Sequence, residues 1–184
     1  FRAMGLALSQ LQRGESLYQL FARVGQRPWE EEAYRRYATM LTEKEQFTEA
    51  VAVYDRFNRA YPRSPRAPRF HAEAIEVLAI AGFSSALLER QASFVASYGI
   101  TSDYWAKAAT PETLSFIEER LVILLPRLAD HFREQAALTG SPQARQQARV
   151  RAVGYYEEFA RTFPNHPDVA EALFALGEVQ LDLG

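Results

Sequence analysis

Two stretches of 36 residues each decide the fold of this chain. Residues 47–82 read FTEAVAVYDRFNRAYPRSPRAPRFHAEAIEVLAIAG, and residues 149–184 read RVRAVGYYEEFARTFPNHPDVAEALFALGEVQLDLG. They align without a gap at a shift of 102 residues, and the matched pairs include Ala50 and Ala152, Val51 and Val153, Tyr54 and Tyr156, Phe57 and Phe159, Arg59 and Arg161, Tyr61 and Phe163, Pro62 and Pro164, Pro65 and Pro167, Glu76 and Glu178, Val77 and Val179, and Gly82 and Gly184. Self-similarity at a fixed spacing indicates a repeat architecture.

Apolar side chains in the first stretch follow the period of a helix. Ala50, Tyr54, Phe57 and Tyr61 are spaced by four, three and four residues, so they form one stripe along a helix. An alanine in that stripe lets a neighbouring helix approach closely, and the aromatic rings fill the space towards the next helix pair. Pro62 ends the helix because proline lacks the amide hydrogen that a helix interior requires.

A middle copy of the same pattern lies between the two stretches. Gly82-Phe83 begins it, Phe94 and then Tyr98-Gly99 end it, and one residue is inserted relative to the first copy. Three helix endings therefore share an aromatic residue, a second aromatic residue four positions later, and a helix stop. The shift between the outer copies equals three periods of about 34 residues, the length of a tetratricopeptide repeat.

The first copy resembles the tetratricopeptide repeat (TPR) consensus residue by residue. Its signature positions are occupied by Tyr34, Tyr37, Ala38, Leu41, Phe47, Ala50, Tyr54 and Pro62. The consensus prefers alanine at the position of Phe57, but a large residue recurs there in the other copies, as Phe94 and Phe159, so we interpret it as a variant of the family. The resemblance implies an all-α fold, a right-handed superhelix of antiparallel helix pairs.

These patterns predict one solenoid segment, and both of its ends look like cuts within a longer protein. The expected parts are a partial repeat at 1–28, repeats at 29–64 and 65–99, a loop at 100–110, an elongated repeat at 111–164 and a half repeat at 165–184. Helices are expected at about 14–24, 29–45, 47–61, 66–81, 83–98, 111–138, 142–163 and 167–183. Thr110 is expected to cap the long helix at 111–138, and Pro126 to kink it.

A second resemblance covers the elongated repeat. His131 to Ala136 (HFREQA) and Ala152 to Phe159 (AVGYYEEF), followed by Phe163-Pro164, resemble large TPR proteins of the Gram-negative bacterial envelope. That resemblance implies an exported or lipid-anchored scaffold in the periplasm or at the outer membrane, with a cytoplasmic location as the alternative. It carries no catalytic residues over to this chain.

The composition argues against several classes of partner. With 21 basic and 23 acidic side chains, the formal net charge is −2, so no long-range field attracts nucleic acid or an anionic membrane. The longest apolar run, residues 121–125, is far below the 18 or so residues of a membrane span. The chain has no cysteine, which excludes disulfides and thiolate chemistry.

No motif in the sequence predicts an enzyme, a cofactor site or a metal site. A nucleophile elbow, a phosphate-binding glycine loop and a dinucleotide fingerprint are all missing from the sequence. His71 and His131 are interpreted as interhelical hydrogen-bond partners or solvated groups, and His166, between two prolines, as a helix cap. The arginine series Arg56, Arg59, Arg63, Arg66 and Arg69 is either a solvated turn balanced by nearby carboxylates or a contact for an acidic partner.

The expected function is therefore the binding of other proteins. In a solenoid the first helix of each pair lines the concave face, where a partner segment can lie. The residues expected to line this groove are Glu32, Arg35, Thr39, Thr42, His71, Ile75 and Leu78, with Ile75 and Leu78 as alternative core residues. A self-assembly role, for which the Tyr104-Trp105 loop is a candidate, and an accessory domain of a cell-wall enzyme remain as alternatives, and the oligomeric state is open.

Overall fold

A computed structural model describes residues 29–183 of the chain, and every regular element in that range is a helix. The helices are α1 (Glu30–Glu43), α2 (Phe47–Ala60), α3 (Ala67–Ile80), α4 (Ser84–Tyr98), α5 (Asp103–Lys107), α6 (Pro111–Leu138), α7 (Pro142–Thr162) and α8 (Val169–Leu181). All except the short α5 match a predicted helix closely. The predicted helix at 14–24 lies outside the described residues.

Helices that are neighbours in sequence pack against each other, which confirms the predicted all-helical arrangement of adjacent pairs. The closest pairs are α1 with α2, α2 with α3, α6 with α7, and α7 with α8. The chain divides into two compact units, the first ending at Arg90 and the second beginning at Gln91. This boundary lies inside α4.

The core of the first unit is built around Phe57, which is almost completely buried. Its ring lies 5.5 Å from that of Tyr34, 5.0 Å from that of Tyr61 and 4.5 Å from that of Phe70, between ring centroids. Ala50 is fully buried, as expected for the residue at a close helix crossing. The large residue that departs from the TPR consensus therefore forms the centre of this core.

The buried residues of the second unit include leucines of α6 and aromatic residues of α4 and α7. Leu121, Leu125 and Leu128 lie on one buried face of α6, which extends through Pro126 as a single helix. Phe159 of α7 is fully buried. The predicted kink at Pro126 stays a prediction.

The internal repeat is visible in the hydrogen bonds of two turns. Between α2 and α3, the amide of Tyr61 donates to the Phe57 carbonyl, that of Ser64 to Tyr61 and that of Ala67 to Ser64. Between α7 and α8, the same three bonds join residues 102 positions later: Phe163 to Phe159, His166 to Phe163 and Val169 to His166. The residues at the helix ends also match, with φ and ψ of −130° and 59° at Tyr61 and −126° and 57° at Phe163.

A pair of aromatic rings lies at the C-terminal end of each of three helices, as the sequence predicts. The ring centroids are 5.0 Å apart for Phe57 and Tyr61, 4.9 Å for Phe94 and Tyr98, and 5.5 Å for Phe159 and Phe163. Each pair is separated by four residues and so lies on one side of its helix.

A side chain caps α6 at the predicted residue, and two proline-containing turns share a local side-chain hydrogen bond. Thr110 Oγ1 accepts a hydrogen bond from the amide of Thr113 at 3.3 Å and caps α6. At the two equivalent turns, Ser64 Oγ accepts from the amide two residues later at 3.1 Å, and His166 Nδ1 does the same at 3.3 Å. His166 is thus equivalent to Ser64 in the turn, but the prediction that it caps a helix is wrong, because Asp168 is the N-cap residue of α8 and no side chain caps that helix.

Gly99 follows α4 where only a residue without a side chain fits. A Cβ at this position would lie 2.1 Å from Glu158 Oε1 and 2.7 Å from the Val95 carbonyl oxygen. Burial raises the pKa of the Glu158 carboxyl group, whose Oε1 is buried and has no hydrogen-bond partner within the described residues. We expect Gly99→Ala to lower the free energy of unfolding of the second unit by about 1–3 kcal/mol, the usual cost of overpacking, in urea denaturation.

Gly154 provides the matched control for this substitution. It lies within α7, and a Cβ there would meet nothing within 4 Å. Gly154→Ala should therefore stabilise the unit by up to about 1 kcal/mol through its higher helix propensity. Equal effects of the two alanines would contradict the steric explanation, whereas partial recovery in Gly99→Ala with Glu158→Ala would support it.

Candidate partner-binding surface

The seven residues predicted to line a groove lie on α1 and α3, but the structure separates them into exposed and buried groups. Arg35 and Thr39 are exposed, and Glu32, Thr42 and Ile75 are partly exposed. His71 and Leu78 are buried within the first unit. The accessible part of the predicted groove therefore lies mainly on α1.

Three charged residues on the exposed side of α1 form two ion pairs that share the carboxylate of Glu32. Arg35 Nε lies 3.0 Å and Arg35 Nη2 2.9 Å from Glu32 Oε2, while Arg36 Nε lies 2.5 Å from Glu32 Oε1. Hydrogen bonds from Arg36 and Arg35 lower the pKa of the Glu32 carboxyl group. Arg35 and Arg36 are adjacent in sequence, so their side chains leave the helix about 100° apart and face different surroundings.

Arg35 lies beside a polar cluster that connects α1, α2 and α3. The Tyr54 hydroxyl lies near the Glu73 carboxylate and the Thr39 hydroxyl, and the charges of Arg35 and Glu73 act on each other. Thr39 Oγ1 donates in turn to the Arg35 carbonyl oxygen at 3.0 Å. Burial raises the pKa of Glu73, and burial together with the nearby carboxylate raises the pKa of Tyr54. We call Arg35, Thr39, Tyr54 and Glu73 the α1–α3 cluster.

His71 belongs to a different network, which joins α3 to the middle of α4 and to α2. Its Nε2 donates to the carbonyl oxygen of Arg90 at 3.2 Å, and the Arg90 side chain forms two hydrogen bonds to the carboxylate of Asp55, one of them at 2.8 Å. Burial, together with the positive charge of Arg90, lowers the pKa of His71 to about 4. His71 is thus an interhelical hydrogen-bond partner, as the sequence predicts.

Leu78 and Thr42 have local roles within the helices. Leu78 is part of the hydrophobic core of the first unit, which was the alternative interpretation of this residue. Thr42 Oγ1 donates to the Ala38 carbonyl oxygen one turn earlier, at 3.0 Å.

The arginine series around the α2–α3 turn is partly engaged within the first unit. Arg66 Nε forms an ion pair with Glu31 Oε2 at 3.1 Å, and Arg59 Nε donates to the Asp55 carbonyl oxygen at 3.3 Å. In the same region, the buried carboxylate of Glu30 accepts from the Tyr61 hydroxyl at 2.7 Å. These contacts link the beginning of α1 to the α2–α3 turn and favour the structural interpretation of Arg66 and Arg59.

Tyr54 and Glu73 were not predicted as members of the surface. In the sequence Tyr54 belongs to the apolar stripe of α2, and nothing in its spacing shows that its hydroxyl reaches beyond the core to Glu73. The signal that could have found it is chemical, because a buried tyrosine hydroxyl usually has a hydrogen-bond partner.

The second unit contains a related polar arrangement at the equivalent tyrosine. The hydroxyl of Tyr156 donates to Asp130 Oδ1 at 2.6 Å, and Arg133 lies 3.5 Å from the same carboxylate oxygen. Arg133 Nη1 is also 3.9 Å from Glu178 Oε2 on α8. In the second unit a tyrosine of α7 therefore reaches a carboxylate of α6.

Within residues 29–183, no three histidine, aspartate or glutamate side chains converge as metal ligands do. In that same part of the chain, no helix combines the length and the apolar character needed to cross a bilayer. Comparisons with known proteins found no matching family model and no significantly similar curated protein.

Proposed function

We propose that this chain is a TPR-like helical-repeat scaffold that binds other proteins and performs no catalysis of its own. The observation that carries the proposal is the repeat of one helix pair, with the same core aromatic residues and the same turn hydrogen bonds, 102 residues apart. Helix pairs repeated in this way build extended surfaces, which repeat proteins use for binding partners. A right-handed superhelix is part of this proposal.

The proposed binding surface in the first unit is the exposed edge of the α1–α3 cluster. Arg35 offers a guanidinium group of which about half of the side-chain surface is accessible, and Thr39 is exposed one turn further along. Because Glu32 holds Arg35 in position, Arg35 can bind a carboxylate or a peptide carbonyl with little loss of side-chain entropy. Arginine is one of the residues that most often contribute a large share of the binding free energy of an interface.

The test replaces this pair of residues and leaves the fold intact. In the double variant Arg35→Ala with Thr39→Ala, we expect partner affinity to fall roughly tenfold, while the helical circular-dichroism signal is unchanged. Partners are first identified by a photo-crosslinking amino acid at position 39, and their affinities are then measured with purified proteins.

Arg36→Ala is the matched control. Arg36 lies on the same helix, carries the same charge and pairs with the same Glu32, but it points to another side. Partner affinity should survive this substitution. Equal affinity of the double variant and the unmodified chain would show that this surface is not the binding site.

The bacterial envelope is the proposed location, and it rests on the resemblance of residues 131–136 and 152–164 to envelope TPR proteins. Fractionation of the native host, with an antibody against this chain, would test it. Recovery in the cytoplasm would favour the alternative location.

A self-assembly role through the Tyr104-Trp105 segment is less favoured. Tyr104 is buried, and its ring lies 5.0 Å from that of Tyr98 in the core of the second unit. Only Trp105 of this pair retains partial exposure.

A further inference from the structure

An arginine and a tyrosine of α7 pack against one aromatic ring of α6. The guanidinium carbon of Arg151 lies 3.9 Å from the centre of the Phe132 ring. The Tyr155 ring is stacked on Phe132, with 5.9 Å between the centroids and 17° between the ring planes. Because Arg151 and Tyr155 are four residues apart, they project from the same side of α7. We call these three residues the Arg151 cluster.

The polar groups of the Arg151 cluster are available for a ligand. Arg151 is exposed and Tyr155 is partly exposed, whereas the Phe132 ring beneath them is only 3% exposed. Within residues 29–183, neither the Arg151 guanidinium group nor the Tyr155 hydroxyl forms a hydrogen bond. Stacking on a ring restricts the motion of a guanidinium group but leaves its N–H edge accessible.

Arg151 also has no carboxylate partner among the described residues. Residues 139–156, which include the first four turns of α7, contain no aspartate or glutamate. Glu158 follows two turns further along the helix, and the positive charge that acts on its carboxyl group is that of Arg161. The charge of Arg151 is therefore not neutralised within this part of the chain.

The internal repeat shows that neither polar side chain is required to build the helix pair. At the shift of 102 residues, Arg151 corresponds to Glu49 and Tyr155 to Val53, so the first copy has the opposite charge and no hydroxyl. Glu49 is exposed although α3 and α4 follow it in the chain. The helices that follow in this repeat thus leave the position of Arg151 open.

The chemistry of the Arg151 cluster fits a single carboxylate. The planar N–H fork of an arginine matches the two oxygens of a carboxylate, and a tyrosine hydroxyl one turn away can donate a further hydrogen bond. One guanidinium charge balances one carboxylate. A phosphate group carries about −1.5 to −2 charges at neutral pH and is usually bound by a cluster of arginines.

We propose that the Arg151 cluster binds a glutamate or aspartate side chain from an acidic segment of a partner protein. This inference rests on the proposed scaffold function and gives it a binding residue and a partner chemistry in the second unit. The α1–α3 cluster belongs to the first unit, so the two sites can be tested separately.

Titration of the full chain with a peptide of ten glutamates tests this site. We expect the NMR signal of the Arg151 Nε–H group to shift with this peptide and to stay unchanged with a peptide of ten glutamines. Arg151→Lys keeps the charge but loses the fork, so affinity should fall roughly tenfold. Tyr155→Phe keeps the ring and loses only the hydroxyl, so affinity should fall roughly threefold.

Arg161→Lys is the matched control, because Arg161 is exposed on the same helix and the substitution is the same. Its affinity for the glutamate peptide should equal that of the unmodified chain. Equal affinities of Arg151→Lys and Arg161→Lys would overturn the proposal. Tighter binding of a phosphoserine peptide of matched net charge would also overturn it, because the site would then prefer phosphate.

The structural alternative is that Arg151 only shields the Phe132 ring from water. It predicts that Arg151→Lys changes the stability of the second unit, followed by Trp105 in a Trp29→Phe background, without changing peptide affinity. That result would overturn the proposal, and Tyr155→Phe provides a second test with the ring stack intact. A failure at Arg151 leaves partner binding at Arg35 and Thr39 unaffected, so the two proposals fail independently.

Discussion

Phe57→Ala will lower the free energy of unfolding of the first unit by about 3–5 kcal/mol, the usual cost of truncating a buried phenylalanine. Phe57 is 2% exposed and contacts the rings of Tyr34, Tyr61 and Phe70. The TPR consensus has alanine at this position, so a consensus argument alone would expect the substitution to be neutral or stabilising. The structure leads to the opposite expectation because the three rings would surround a cavity.

Urea denaturation with separate reporters measures this loss. The chain has two tryptophans, Trp29 in the first unit and Trp105 in the second, so a Trp105→Phe background reports the first unit alone. Phe83→Ala is the control, since Phe83 is about half exposed and its ring is 6.4 Å from that of Phe47. Its cost should be about 1 kcal/mol or less. Similar losses for Phe57 and Phe83 would contradict the assignment of Phe57 as the centre of the core.

Local patterns in the sequence predicted most of the helices and turns. The proline-containing turns, the aromatic pairs and the cap residues act over a few positions, so their effect can be recognised from spacing alone. Thr110 illustrates this, because the local sequence Thr110-Pro111-Glu112 was sufficient to identify it as the cap of α6. The short helix α5 was missed because its five residues are too few to show a period.

Side-chain contacts between distant residues were much less predictable. The ion pair of Arg90 with Asp55 joins residues 35 positions apart, and the ion pair of Arg66 with Glu31 also spans 35. Arginine and carboxylate residues are common along this chain, so charge alone did not identify which ones would meet. The sequence also placed His71 in the groove, although the structure buries it and joins its Nε2 to the Arg90 carbonyl oxygen.

Acidification provides the second large expected effect, through His71. The unfolded chain protonates this histidine near its usual pKa of about 6.5, whereas the folded chain does so only near 4. Between these values the unfolded state binds more protons, so stability is lost as the pH falls from about 6.5 to 4. The full contribution is roughly 3 kcal/mol, and above pH 7 it is absent. Unfolding of the first unit, followed by Trp29 in urea at several pH values, measures this decline.

His71→Gln separates this contribution from the other titrations of the first unit. The glutamine amide can replace the Nε2 hydrogen bond to the Arg90 carbonyl oxygen, but it takes up no proton. The raised pKa of Glu73 acts in the opposite direction at acid pH, because the folded state then binds the extra proton, and it is present in both chains. The difference in stability between the two chains should therefore change by roughly 3 kcal/mol between pH 7 and pH 4, with the variant less sensitive to acid. Parallel pH profiles would show that His71 ionises in the folded chain as readily as in the unfolded one, and that its burial between α3 and α4 does not control the stability of this unit.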